Sequence, residues 1–138
     1  MLAHQSILEA FVLALKATPG LDGRVYSERS ADLGVGAVPA ILIEDDGTES
    51  TELGPFCREQ MVLSVVIKVE DKAPRAACYA LLELAHPLLV GQLRRDDGQV
   101  QSIRRLSHAF DRSPAAVSVG ELTVRYLVTF ECDTETLN

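Results

Sequence analysis

At 138 residues and 47% hydrophobic content, the chain suits one domain spanning residues 1–138 that buries roughly 68% of its unfolded surface, and it is too apolar for a disordered protein. A formal charge of −7, no Trp and 5% aromatics exclude a broad phosphate-neutralising face or a base-stacking platform. Three cysteines without CxxC spacing predict reduced thiols in a cytoplasmic setting, and no apolar run reaches the roughly 18 residues of a membrane span.

Residues 3–17 place Ile7, Leu8, Phe11, Val12 and Leu15 at helical spacing, and Thr18-Pro19-Gly20 stops the pattern. A short extended piece at 23–26 and a polar, Gly-rich connection at 27–36 lead to a strand over 38–44, with Pro39 near its start where a missing donor is tolerated. Asp45-Asp46-Gly47 reads as a turn and residues 48–53 as a returning hairpin arm, expected to be the most mobile segment, closed by Gly54-Pro55.

The strand over 58–70 carries the clearest pattern. Met61, Leu63, Val65, Ile67 and Val69 alternate with Gln60, Ser64, Lys68 and Glu70, so one face must be covered. Val62 and Val66 make the other face too apolar at its centre to be simply solvated. Its expected cover is the 44–53 arm or a neighbouring subunit.

A helix over 72–90 follows, capped by Asp71 with Pro74 in its first turn. Its expected sheet-facing stripe is Ala76, Ala77, Ala80, Leu81, Leu84 and Leu88, with a bend at Pro87, a displaced last turn and a stop at Gly91. Residues 94–98 read as a charged turn, expected from the sequence. Over 99–110, Val100, Ile103, Leu106 and Phe110 have helical spacing, but the segment is short and bracketed by turns, so a bulged or strongly twisted strand is expected. The last strand, over 120–132, repeats the 58–70 alternation and should lie beside it, with a fraying tail at 133–138. The order of elements predicts an α+β fold: a mostly antiparallel four- to five-stranded sheet with two helices packed on one face.

Catalytic signatures are absent. Cys78 and His86 are about 12 Å apart along one helix at 1.5 Å per residue, too far to hydrogen-bond. His4 and His108 have no companion motif, and no P-loop, dinucleotide fingerprint, HExxH or nucleophile elbow occurs. Gly34-Val-Gly36 lacks the helix and Lys of a phosphate loop. Glu44-Asp45-Asp46 with Glu49 lacks the ligand spacing of a calcium loop and reads as a solvated turn. Cys57 and Cys132 read as small buried hydrophobes. No enzyme, cofactor or metal is expected.

The amphipathic first helix, Asp22-Gly23-Arg24-Val25-Tyr26, the strand opening Val38-Pro39-Ala40, the long strand from Leu63 to Val69, the Pro87-containing helix and Leu122-Thr123 with Tyr126-Leu-Val-Thr-Phe-Glu131 together resemble the tail terminator family of long-tailed bacteriophages. This is the minor tail protein U group typified by phage lambda. The resemblance covers nearly the whole chain, with residues 96–116 matching poorly. It implies a ring-forming structural protein that caps a completed tail tube, stops its polymerisation and offers the head an attachment surface. Implied partners are further copies of itself in a six-membered ring, the major tail tube protein and a head-completion or neck protein. DNA would pass through the ring without specific binding, and the site of action would be the head-proximal end of the virion tail after assembly in a bacterial cytoplasm.

Opposite charge on separate loops makes Glu44, Asp45, Asp46, Glu49 and Glu52, against Arg94, Arg95, Arg104 and Arg105, the expected subunit or tail-tube contacts. Ordinary solvated loops are the plain alternative, because exposed pairs contribute only about 0 to 1 kcal/mol. The rival functions are another head–tail joining or tail-completion protein, and a cellular small-ligand-binding α+β domain.

Overall fold

The computed structural model describes residues 2–27, 38–91, 100–113 and 116–138. In chain order these form α1 (Ala3–Leu15), β1 (Val25–Ser27), β2 (Ala40–Leu53), β3 (Phe56–Glu70), α2 (Pro74–Val90), β4 (Val100–Ser113) and β5 (Ala116–Asp133). One sheet runs β1-β2-β3-β5-β4. Only the β1–β2 pair is parallel; the other neighbours are antiparallel. Both helices pack on one face, the α+β arrangement expected from the sequence.

Alternation explains the centre of the sheet. On β3, Met61, Leu63, Val65, Ile67 and Val69 are buried under the helices, and on β5 so are Leu122, Val124, Tyr126, Val128 and Phe130. The two strands pair from Phe56 opposite Asp133 to Glu70 opposite Val119, the adjacency that their matching patterns predicted. α1 meets this face through Ala3, Ile7, Phe11 and Leu15, a stripe at every fourth residue. Burying a side chain such as Phe11 contributes about 1.5–3 kcal/mol.

α2 differs from its expected orientation. Its buried line is Pro74, Cys78, Ala85 and Leu89, whereas Ala76, Ala80 and Leu84 are exposed and Ala77, Leu81 and Leu88 lie at the margin. Apolar residues surround much of this helix, so periodicity alone does not select a face. The small side chains of Cys78 and Ala85 go inward and let the helix axis approach the sheet. The first turn also differs: the capping position is Ala73, and the Asp71 carboxylate instead accepts the Ala73 amide at 2.9 Å, one step before the helix. Pro74 occupies the first helical turn as expected, and the helix continues through Pro87 to Val90.

Residues 45–53 are not a turn and a returning hairpin arm. β2 is continuous to Leu53 and pairs with β3 throughout, with a bulge between Asp45 and Thr48 and the reversal at Gly54-Pro55. The Asp45 carboxylate accepts the Gly47 amide at 2.8 Å, so the turn-like chemistry closes a bulge rather than a hairpin. Gly54, at φ 78°, supplies the left-handed residue that the actual reversal needs. Because the arm lies in the plane of the sheet, it does not cover the second face of β3.

β4 is a strand with register shifts between Val100 and Ser102, Arg105 and Ser107, and Arg112 and Ser113. Each of the first two inserts one residue. The first turns a step of two into three, which accounts for the spacing from Val100 to Ile103, and the second makes Leu106 an exposed surplus residue rather than part of a buried stripe. The tail does not fray: Asp133 takes the Glu135 and Thr136 amides on its carboxylate, Leu137 returns its amide to Asp133, and the Leu137 carbonyl accepts the Ala3 amide at 2.9 Å. Those two amide donors hold the Asp133 carboxyl below the usual range.

Candidate assembly surface

The helix-free face of the sheet is built from the residues that alternation turns away from the core. Glu44 and Glu49 come from β2, Gln60, Val62, Ser64, Val66 and Lys68 from β3, Thr123, Arg125, Leu127 and Thr129 from β5, and Arg104 from β4. Val62, Val66 and Leu127 form a half-buried apolar band across its middle. Ala40 and Leu42 of β2 and Ser64 of β3, which alternation turns to this same face, are buried, so it is not open throughout.

Charge is distributed unevenly across it. The β2 side is acidic, with Glu44, Asp46 and Glu49, and a shallow hollow lies between Asp46, Glu49, Gln60, Val62 and Leu127. The β5–β4 side carries Arg125 and Arg104 together with Glu121, Glu131 and Asp111, which the same register turns to this face. Arg125 Nε lies 3.9 Å from Asp46 Oδ2 across the band, an exposed pair contributing about 0 to 1 kcal/mol. Arg58 pairs with Glu131 and Lys68 with Glu121, each at 3.7 Å. Glu44, Glu49 and Arg104 have no ion-pair partner among the described residues.

The expected contact residues therefore separate. Glu44, Asp46 and Glu49 belong to the open face or its margin. Asp45 holds the bulge, accepting from Gly47 and from Thr48 Oγ1, and Glu52 sits opposite Cys57 on the other side of the sheet. Arg104 and Arg105 do not form one patch, because adjacent strand residues face opposite ways: Arg104 is opposite Leu127, and Arg105 is opposite Tyr126. Arg94 and Arg95 lie outside the described residues.

Arg105 belongs to a second, helix-side hollow. It stands with Tyr79, Leu82, Glu83, His86 and Pro87, and its Nη1 lies 2.9 Å from His108 Nδ1. The His108 ring meets Tyr79 edge-on at 5.9 Å. His86 Nδ1 shares a hydrogen bond with the Tyr126 hydroxyl at 2.8 Å. Burial pushes the Tyr126 phenol up to about 12, so it stays a neutral hydrogen-bonding group. The hollow is open to solvent rather than an enclosed ligand pocket.

The sheet also has two unlike edges. Beyond Ile43, where pairing with β1 ends, residues 44–53 pair only with β3 among the described residues. On the far side β4 pairs with β5 alone among the described residues. Open edges invite strand pairing, and the acidic side chains on the first keep identical edges apart.

No family model matches the chain, and no curated protein matches it. Among solved structures, a chain from the virion of a native gene transfer agent particle shares its fold with a TM-score of 0.70 at 14% sequence identity, over 90% of this chain and 93% of that one.

Proposed function

We propose that this protein is a structural component of a phage-like virion tail and acts as its terminator, a ring of identical subunits that caps the tail tube and presents a surface to the head. The observation that carries the reading is the fold shared, over nearly its whole length, with a chain of a gene transfer agent virion. The helix-free face, with its apolar band and with Glu44, Glu49 and Arg104 unpaired among the described residues, supports it. A closed ring needs a heterologous contact in which two unlike patches of one subunit meet on neighbouring copies. In this reading the acidic β2 margin and the local Arg104–Arg125 pair are those unlike patches, and the apolar band of Val62, Val66 and Leu127 adds dry contact area.

In this reading the ring has six members, rests on the major tail tube protein below and meets a head-completion or neck protein above. DNA passes through without sequence recognition. The charge of −7 keeps free subunits apart until they reach the tube end.

The test combines light scattering over a range of protein concentrations, electron microscopy of any large species, and addition of the protein to polymerising tail tube protein. Six-fold rings, or tubes that stop growing with a ring at one end, are the expected result. A strict monomer that leaves tube growth unchanged rejects the proposal.

A further inference from the structure

Near the paired ends of β3 and β5, three potential ligand side chains converge beneath α1. Cys57 and Cys132 are directly opposite one another, and Glu59 is one pleat further along β3 on the same face. Their ligand atoms all lie within 4.8 Å of one another. All three residues are buried, Glu59 at 2% exposure. A carboxylate placed there requires partners. Ser50 Oγ donates to Glu59 Oε2, Cys132 Sγ donates to Oε1 at 3.4 Å, and His4 Nε2 reaches to 4.0 Å from Oε2 from the first turn of α1. The buried Phe130 ring meets the His4 imidazole edge-on at 4.9 Å and keeps it over the cluster.

We propose that Cys57, Glu59, Cys132 and His4 form a structural site for a zinc-like divalent cation. Two sulfurs, one carboxylate oxygen and one imidazole nitrogen are a borderline-soft, four-membered donor set, the number and type that suit tetrahedral zinc. In such a site, ligand atoms are roughly 3.3–3.8 Å apart, from metal–ligand distances of about 2.0–2.3 Å. The Cys132–Glu59 edge already has this length, the other edges among Cys57, Glu59 and Cys132 close with movements of about 1 Å, and His4 approaches the carboxylate to 4.0 Å. Ser50 orients the carboxylate from behind, as outer-shell groups do around bound metals.

Binding displaces a proton from each thiol as each sulfur forms a bond to the cation, so two protons leave for each metal taken up. Two thiolates and a carboxylate around a divalent cation leave a single negative charge. Without metal, burial and the neighbouring Glu59 push the Cys132 thiol up to about 11, so it stays protonated and hydrogen-bonded to that carboxylate. Occupancy joins the start of α1 to the β3–β5 pair. It does so beside the tail that Ala3 already contacts and beside Thr134, which accepts from Cys57 Sγ at 3.6 Å.

The test is a titration of the reduced, chelator-treated full chain with Co2+, followed by displacement with Zn2+. The expected result is one equivalent bound, with thiolate-to-cobalt charge-transfer absorption and the intense visible bands of a tetrahedral ion, release of two protons and a rise in melting temperature. Cys57→Ser or Cys132→Ser should abolish the charge-transfer band or reduce it in proportion to the lost sulfur. His4→Ala, at a half-buried position, should keep that band and weaken affinity at least tenfold. A folded wild-type chain that shows no charge-transfer band at stoichiometric Co2+ overturns the proposal. So does a band that survives replacement of both cysteines.

Discussion

The Tyr126 hydroxyl and His86 Nδ1, 2.8 Å apart, form a polar contact between the middle of the sheet and α2. Removing the hydroxyl leaves a ring nitrogen of His86 without that partner. Tyr126→Phe should therefore lower stability by about 0.5–1.5 kcal/mol, the usual net worth of one hydrogen bond. Chemical denaturation with an unchanged slope and a lower midpoint would show it. An unchanged midpoint would mean that water replaces the hydroxyl without cost.

Alkali should act through the same region. Burial is the main cause that raises Tyr126 from 10.0 to about 12 and Cys78 from 9.0 to about 11. Both native groups hold their protons more tightly than the unfolded chain does. Their stabilisation is thus complete below pH 9 and is lost progressively as the pH rises through about 11 to 12. Denaturant midpoints should fall across that window, and Tyr126→Phe should flatten its upper part. A midpoint that stays level from pH 9 to 11 would contradict the assignment.

Gly120 marks a close approach. A Cβ there would lie 2.7 Å from Pro74 Cβ and 2.8 Å from Phe110 Cε2, between the start of α2 and the edge strand. Gly120→Ala should cost about 1–3 kcal/mol through overpacking. Thermal unfolding of the variant, compared with an Ala substitution at exposed Ser107, would separate the crowding from any general effect on the sheet edges.

The divided arginines give a test of the assembly face. Arg104→Glu should weaken ring formation because it reverses charge on the open face. Arg105→Glu should leave assembly intact while disturbing the hollow with His108 and Glu83. Light scattering of the two variants at equal salt distinguishes them. Equal losses from both would show that the contact does not respect the two faces of the sheet.

Where the sequence was informative, one signal dominated. β3 and β5 are legible because their apolar residues alternate without interruption, and alternation fixes both the strand and its buried face. α2 was legible as a helix but not in orientation, since Ala76, Ala80 and Leu84 are as apolar as the residues that are buried. The Asp45-Asp46-Gly47 segment misleads because a bulge and a hairpin use the same residues; only the pairing of 48–53 with β3 separates them. Cys57 and Cys132 lie far apart in the chain. Their convergence with Glu59 follows from the β3–β5 register, and the one advance signal was that each falls on the buried phase of its strand. The split between Arg104 and Arg105 needed only strand periodicity, but two bulges had hidden that periodicity.

Those bulges have a consequence for length. From Val100 to Arg112, with surplus residues near Gln101 and Leu106, β4 follows a longer path than β5 does from Gly120 to Phe130, and the excess becomes curvature at the rim of the sheet. At such a point one residue is spare. Deleting Leu106 would restore simple alternation and leave every other side chain of β4 on its present face, whereas the same deletion within β3 would turn half of that strand inside out. The rim can thus change length over evolution without changing what it presents, while the centre of the sheet cannot.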